Sequence, residues 1–264
     1  MQASTLESVY AQLDNFPGSL VSFTPTTGDT LLHPEWDQSI DRVLNHPSVS
    51  QATFYTNAIE LDTENCEKLI QLIKNDKAGK LSQLFFSVGG LDKDTYETLY
   101  QVDRFDRVKN NINQLLALLK TNDLCTGIHI HIKLLKSQTA DLNKAMELYN
   151  PGDYPFVYLS ASAQYESNDG LQRQPSITYT PSPGPLKTKA CAYLLKTRFA
   201  ADGGIWADGC VLSELPGDST LKLGNSTDTI QTIEKARALI INNWEISGEI
   251  PLPCKGCTIY KARA

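Results

Sequence analysis

The clearest chemistry in this sequence is thiolate chemistry in its last third. Cys191 and Cys210 are separated by 18 residues, and after a gap of 43 residues Cys254 and Cys257 are separated by two. Thiolates are soft ligands, and four of them suit either Zn²⁺ or an iron–sulfur cluster. The spacing therefore predicts one metal site with these four cysteines as ligands, and the residue types leave zinc and iron–sulfur both open.

Two other interpretations of the cysteines remain. They could be unconnected packing residues, or Cys254 and Cys257 could form a redox-active pair, although such a pair usually stands at the start of a helix that follows a strand. Thr258 follows the pair, which excludes covalent attachment of a c-type haem. The two other cysteines of the chain, Cys66 in a helical pattern and Cys125 before a strand, are expected to be packing residues.

Alternating strand and helix patterns predict the elements that must position these groups. β-Branched and aromatic runs indicate five strands, at residues 20–25, 52–56, 83–88, 127–134 and 156–160. Between them, apolar residues recur at helical spacing at 34–46, 62–74, 106–120 and 139–149. Strands and helices that alternate in this way predict parallel strands joined by crossovers, as in a doubly wound sheet or a partial barrel.

The sequence changes in character after about residue 165. Residues 167–187 are rich in Pro, Ser and polar side chains and indicate a linker or an ordered loop. In the stretch FAADGGIWADGC, at 199–210, Gly-Gly and Asp-Gly steps predict a hairpin that ends at Cys210. A helix is predicted at 227–244. The expected organisation is a partial barrel at 1–165, a linker at 166–188 and a cysteine-bearing domain at 189–264.

Composition excludes several classes of function. The chain has 264 residues, a formal net charge of −6 and no cluster of Lys and Arg, which argues against nucleic acid or an anionic membrane as the main partner. No apolar stretch approaches the roughly 20 residues of a membrane span, and the first residues lack the pattern of a signal peptide. We therefore expect a cytoplasmic protein, and in that reducing compartment clustered cysteines indicate metal or redox sites.

Polar side chains at strand ends are the other candidates. Thr56, Asn57 and Ser87 end predicted strands, at the edge where parallel α/β folds bind ligands. His129 and His131 alternate with isoleucines, so both imidazoles are expected on one face of their strand. They could bind a metal only with a third ligand, and lining a polar cavity is the favoured interpretation.

Several of these segments together resemble the radical SAM superfamily. The resemblance lies in TTGDTLLHPEW at 26–36, FYTNAIELD at 54–62, FFSVGGLDKDTYETLY at 85–100 and FDRVKNNINQLL at 105–116. The first of these is similar to the family's GGEP segment, whose loop holds the amino group of S-adenosylmethionine, and Asp29 stands at the place of the family's glutamate. The resemblance implies a cofactor site formed by Gly28, Asp29, Thr56, Asn57 and Ser87, although an Asp after a strand is also a common turn residue.

The last third resembles the SPASM or twitch region that holds an auxiliary cluster in this superfamily. The similar segments are residues 191–230 and PCKGC at 253–257, and the single-cluster twitch form fits best because no further cysteine follows. The implied fold class is α/β: an incomplete (β/α)6-type radical SAM barrel followed by a small hairpin–helix domain with one auxiliary 4Fe-4S cluster. The implied function is that of an iron–sulfur oxidoreductase acting on a peptide, a protein side chain or a small polar metabolite.

One departure from the family is serious. The defining C-x3-C-x2-C motif, which leaves one iron open for S-adenosylmethionine, is absent, and the first cysteine is Cys66. We expect that the first strand and cluster loop were lost from the gene or only from the gene model, and that S-adenosylmethionine is used only if that loop is supplied. A partner chain could then complete the barrel. The alternative is a non-catalytic iron–sulfur or zinc-binding protein that recognises a partner, and a barrel enzyme with structural zinc is a third.

Overall fold

The computed structural model describes residues 3–23, 29–135, 138–165, 187–207, 219–255, 260 and 262–263, without the side chains of 3 and 163–165. The chain forms two compact units. The larger is Pro17–Pro175, and the smaller combines Met1–Phe16 with Ser176–Ala264. The expected barrel segment 1–165 therefore differs at its start, because the first helix groups with the C-terminal residues.

The larger unit is built on one parallel sheet. Its strands are β1 (Ser19–Phe23), β2 (Val49–Thr56), β3 (Leu81–Gly89), β4 (Gly127–Leu135) and β5 (Val157–Tyr165), in the order β1-β2-β3-β4-β5. Each crossover thus moves one strand further in the same direction. Right-handed crossovers that never reverse place their helices on one face, which is the order of a barrel segment and not of a doubly wound sheet.

The helices of this unit lie in the crossovers. After α1 (Ala3–Gln12), which belongs to the smaller unit, they are α2 (Trp36–Leu44), α3 (Thr63–Asn75), α4 (Lys93–Tyr100), α5 (Phe105–Thr121) and α6 (Leu142–Tyr149). Asp62, Asp92 and Asp141 cap α3, α4 and α6, each accepting a backbone N–H three residues on at 2.8–3.0 Å. Such caps satisfy amide groups that have no partner within the helix.

The apolar core lies between the sheet and these helices. Along β4 the side chains alternate: Ile128, Ile130 and Ile132 are fully buried, whereas His129 and His131 are half-buried. Apolar side chains of β2, β3 and α5 are also inaccessible, among them Phe54, Leu84, Phe86, Ile112 and Leu115. The opposite face of the sheet, which carries the histidines, is called the polar face below.

The predicted elements of the larger unit agree with this architecture. All five strands and the four predicted helices are present, and β5 extends five residues beyond its predicted end, to Tyr165. Helix α4 was not predicted separately. None of the described helices is both long and apolar enough to cross a lipid bilayer.

The smaller unit contains a second, antiparallel sheet. Strands β6 (Thr197–Phe199), β7 (Gly204–Ala207) and β8 (Lys222–Asn225) pair in that order, followed by α7 (Ile230–Ser247) and the short α8 (Leu252–Lys255). The predicted hairpin and the predicted helix are both confirmed, whereas β8 was missed. Gln12 ties α1 to this unit, since its side-chain amide donates to the Ser226 and Asp228 carbonyls at 2.9 and 2.8 Å.

A buried arginine fastens α7 to the hairpin. Arg237 is 5% exposed, and its guanidinium donates to the carbonyls of Leu194 and Lys196 and to the Thr197 hydroxyl. A planar guanidinium can satisfy several acceptors at once, which a lysine could not do in the same geometry. The segment that follows Cys191 is thereby held against α7.

Candidate functional site

Asp29 joins the ends of β1 and β2. Its carboxylate accepts hydrogen bonds from the Leu31 backbone N–H at 3.0 Å, from the Thr56 hydroxyl at 2.9 Å and from the Asn57 backbone N–H at 2.6 Å. Three of the residues predicted as a cofactor site are thus brought together. The contacts also show that most acceptor positions of Asp29 are already used within the protein.

The loop after β2 is held in an unusual conformation. Ala58 has a φ of 63°, which is uncommon for a residue with a Cβ atom, and it is fully buried. Its N–H donates to the Thr56 hydroxyl at 3.0 Å, and its carbonyl accepts from the Asn111 side chain at 2.8 Å. The Asn57 side chain closes a turn by accepting the Ile59 N–H at 2.9 Å. These contacts fix the direction of the backbone at Asn57.

Burial governs the electrostatics of Asp29. Desolvation raises the pKa of its carboxyl above the ordinary value, against the lowering effect of the hydrogen bonds from Asn57, Leu31 and Thr56. The nearby negative charge of Glu60 raises the pKa slightly further. Burial of the Asp29 carboxylate therefore carries a desolvation cost, and the hydrogen bonds to the carboxylate offset that cost only in part.

Ser87 lies one strand away, on the polar face of β3. It pairs with His131 in register, is half-buried, and its hydroxyl makes no hydrogen bond within the described part of the chain. Ser87 therefore remains a separate candidate, with a donor available to a ligand.

Close packing shapes the end of β3. A Cβ atom on Gly89 would lie 2.3 Å from the Tyr100 ring, and one on Gly90, where φ is +69°, would lie 2.5 Å from Thr95. The Tyr100 ring also lies 5.6 Å from the ammonium group of Lys133 on β4. Burial lowers the pKa of Lys133. Glycine is required here because the chain turns tightly into α4 beneath an aromatic ring.

The polar face of the sheet carries an aromatic row and a polar row. The rings of Tyr55 and Phe85 stack with centroids 4.3 Å apart, and Phe85 lies 5.1 Å from the His129 ring. His131 lies between the hydroxyls of Ser160 and Ser162. The prediction that both histidines line the face away from the helices is confirmed.

The described cysteines of the smaller unit lie in one buried cluster. Cys191 and Cys254 are 7% and 8% exposed and share that cluster with Trp244. Cys191 forms an antiparallel bridge with Ala262, and Lys187 donates to the Cys254 carbonyl at 2.7 Å. Residues 187–191 therefore contact the chain at Cys254 and again at Ala262.

Three predicted site residues lie outside the described residues. They are Gly28, Cys210 and Cys257. Within the described ranges no group of three or more His, Cys, Asp or Glu side chains could hold a metal ion, and two of the four predicted ligands lie outside those ranges. The four-cysteine site thus stays a prediction.

The other two cysteines differ from each other. Cys66 is fully buried in α3, its thiol contacts the Leu61 carbonyl at 3.5 Å, and burial raises its pKa to about 12. Its prediction as a packing residue is confirmed. Cys125 is exposed, so the same prediction is wrong for that residue. A single cysteine between a helix and a strand carries no sequence signal that separates these outcomes.

Sequence reasoning missed several residues that support the site. They are Asn111, which holds the loop after β2, Tyr100 and Lys133 at the end of β3 and β4, and Ser160 and Ser162 on β5. The alternating serines of YLSAS were a usable signal. Extending the strand beyond residue 160 would have placed them beside the histidines.

Among solved structures, the chain is similar to one described as a histidine-tagged anSMEcpe with bound AdoMet, an anaerobic sulfatase-maturating enzyme of the radical SAM class. The two are 16% identical, the likeness covers 93% of this chain and 75% of that one, and the TM-score is 0.56. No protein-family profile matches the chain. No curated protein matches it either. At this identity the likeness shows a similar fold and nothing more.

Proposed function

We propose that this chain is a radical SAM-like iron–sulfur protein whose smaller unit holds one 4Fe-4S cluster through Cys191, Cys210, Cys254 and Cys257. The observation that carries the proposal is the placement of Cys191 and Cys254 in one buried cluster, with Cys191 bridged to Ala262 and Lys187 bonded to the Cys254 carbonyl. Cys210 follows the end of β7 by three residues and Cys257 follows α8 by two, so all four belong to one compact unit.

The chemistry of the donor set fits an iron–sulfur cluster. Four thiolates with no competing imidazole or carboxylate in the predicted set are typical ligands of 4Fe-4S clusters, and zinc accepts the same donors. Order along the chain favours the cluster, because a hairpin cysteine, a helix and a terminal C-x2-C differ from the two C-x2-C knuckles of a zinc ribbon. The cluster would supply electron transfer.

The strand-end residues of the larger unit are the proposed site for S-adenosylmethionine. The AdoMet in the similar structure supports this assignment, as does the convergence of Asp29, Thr56 and Asn57. Ser87 offers a hydroxyl without a partner in the described residues. Asp29 would act mainly by holding the Asn57 backbone in position, because its own acceptor positions are largely occupied. Gly28 belongs to the same proposed site.

An oxidoreductase acting on a peptide, a protein side chain or a small polar metabolite is the activity that we propose for this fold. The alternative is a non-catalytic iron–sulfur or zinc protein that recognises a partner. The observation that favours the alternative is the absence of a C-x3-C-x2-C motif from the printed sequence.

Cysteine variants test the proposal. Replacing each of Cys191, Cys210, Cys254 and Cys257 by Ala should lower the iron content of anaerobically purified protein and destabilise the smaller unit, since a bound cluster contributes folding energy. The matched control is Cys125→Ser, at an exposed cysteine, which should leave the iron content unchanged. Equal iron loss in the control and in the four variants would refute the ligand assignment.

A further inference from the structure

Four side chains on the polar face form one continuous hydrogen-bonded chain. Ser162 Oγ lies 2.9 Å from His131 Nε2, His131 Nδ1 lies 2.8 Å from Ser160 Oγ, and Ser160 Oγ lies 2.7 Å from His129 Nε2. Both imidazoles are on β4 and both hydroxyls are on β5. Parallel strands with His131 opposite Ser160 place the four groups in one row along the sheet.

The number of hydrogens that each group carries restricts how these four side chains can be hydrogen-bonded. A neutral imidazole carries one N–H and one lone pair, and a serine hydroxyl has a single hydrogen to donate. Ser160 stands between two ring nitrogens. Its oxygen could accept from both, but a proton can pass through the hydroxyl only when Ser160 donates to one ring and accepts from the other. If it donates to His129, then His131 donates to it, and the reverse holds in the second arrangement.

The two rings therefore share one tautomer. When Ser160 donates to His129 Nε2, both histidines carry their hydrogen on Nδ1, and His131 Nε2 accepts from Ser162. In the reverse arrangement both carry it on Nε2, and His131 donates to Ser162. In one mixture of tautomers both rings would donate to Ser160, and no proton could pass between them through its hydroxyl. In the other, two ring lone pairs would face the single hydroxyl hydrogen.

The surroundings keep both imidazoles of this hydrogen-bonded row in their neutral form. Burial lowers the pKa of both imidazoles below the ordinary value of 6.5, so the neutral rings dominate at neutral pH. The charges of His129 and Lys133 lower the pKa of His131 further. The Phe85 ring lies against His129 from β3.

We propose that Ser162, His131, Ser160 and His129 form a proton path between a ligand with an ionisable O–H or N–H group, bound at Ser162, and Nδ1 of His129. A proton from the ligand reaches Ser162 as the Ser162 hydrogen moves to His131 Nε2. The His131 Nδ1 hydrogen then moves to Ser160, the Ser160 hydrogen moves to His129 Nε2, and His129 releases its Nδ1 hydrogen. One proton enters and one leaves to water at His129 Nδ1, so none of the four side chains keeps a net charge, and the ligand is left without that proton. The path does not depend on the proposed metal site.

Nitrogen NMR of protein labelled with ¹⁵N in histidine tests this proposal directly. The chain has only four histidines, and two are internal references: His33 and His46 each accept a backbone N–H at Nδ1, from Glu35 and Ser48 at 3.2 Å, so their neutral tautomer is Nε2–H. We expect His129 and His131 to show matching tautomers that exchange with one common rate constant. Opposite tautomers, or a single arrangement without exchange, would overturn the proposal.

Ser160 variants supply the matched pair. Ser160→Thr keeps the hydroxyl on a strand that favours β-branched residues, so the common rate constant should persist. Ser160→Ala removes the shared hydroxyl, and the two rings should then exchange at unequal rates, while His33 and His46 keep their signals. A common rate in the Ala variant, or its loss in the Thr variant, would show that Ser160 does not couple the rings.

Discussion

At the scale of single residues, the best-defined feature of the larger unit is the carboxylate of Asp29. It gathers two backbone N–H groups and one hydroxyl from the loops that follow β1 and β2. A ligand-binding loop needs such fixed backbone groups, because a donor that is already positioned loses less entropy on binding. Asp29 is therefore better described as the organiser of the proposed site than as its principal contact.

Asp29→Asn should destabilise the protein by about 1 to 3 kcal/mol, because the amide nitrogen would face a backbone N–H group that can only donate. The loss should grow as the pH falls. Asp29 has a raised pKa in the folded state, so the wild type gains stability as its carboxyl is protonated on going from pH 7 toward 4, and the Asn variant gains nothing. Urea unfolding at several pH values measures the difference.

The control for this variant is Asp62→Asn. Asp62 caps α3 by accepting the Asn65 N–H at 3.0 Å, and asparagine caps helices about as well as aspartate. Its effect should stay within about 0.5 kcal/mol at pH 7. A loss at Asp29 no larger than at Asp62, or one that shrinks as the pH falls, would contradict the account of Asp29.

Residue-level prediction from sequence succeeded where strand ends were recognisable. Thr56 and Asn57 were predicted at the edge where parallel strands end, and the family resemblance placed Asp29 in the same site. Asn111 could not be found in this way, because its amide binds the Ala58 carbonyl across a separation of 53 residues and it lies within a helix with no distinguishing pattern. The exposure of Cys125 depends on tertiary packing, and no local signal encodes it.

At the scale of elements, the turn from β3 into α4 sets the edge of the sheet beside the proposed site. Gly90 combines a left-handed backbone with a close approach to Thr95. The Tyr149 hydroxyl donates to the Gly90 carbonyl from α6, so the turn is also held from the next crossover helix. The position of Ser87, three residues earlier, depends on this turn.

Gly90→Ala should lower the free energy of unfolding by about 2 to 3 kcal/mol, because alanine is strained at this φ and its Cβ atom would contact Thr95 at 2.5 Å. Gly152→Ala is the matched control, since a Cβ atom there meets nothing within 4 Å. Thermal and denaturant unfolding compare the two variants. Similar stabilities would mean that the turn is not held as the structure has it.

Element prediction followed the hydrophobic periods closely in the larger unit. Strand β4 shows why: its isoleucines alternate with polar residues, and the buried set is the one that faces the helices. Strand β8 was missed because KLGN is short, contains a glycine and has no alternating pattern of useful length. Such a strand forms because it pairs with β7, and its own sequence does not predict it.

At the scale of the whole molecule, the chain divides into two units whose boundary does not follow sequence order. The first 16 residues group with the C-terminal residues, and Gln12 supplies two of the hydrogen bonds that hold them there. The sequence predicted the C-terminal unit from its cysteines and hairpin. Its inclusion of α1 was not predictable, because the hydrogen bond from the Gln12 side chain to the Ser226 carbonyl spans 214 residues and leaves no local sequence pattern.

The radical step is expected to be absent from the printed chain. An iron with an open coordination position needs three closely spaced cysteine ligands, and no such triad occurs in the sequence. The four proposed ligands would occupy all four sites of their own cluster. After reduction with dithionite, the 264-residue chain should form no 5′-deoxyadenosine from S-adenosylmethionine above a protein-free control, as measured by chromatography. Formation of that product would contradict this prediction.

The central claim is that the smaller unit holds an iron–sulfur cluster, and metal analysis of protein purified without oxygen tests it most directly. Iron, acid-labile sulfide and zinc are measured per chain, with Mössbauer spectroscopy to identify the cluster type. The account predicts a brown protein with about four irons and four sulfides per chain and only traces of zinc. A colourless protein that carries one zinc ion and no sulfide would contradict it.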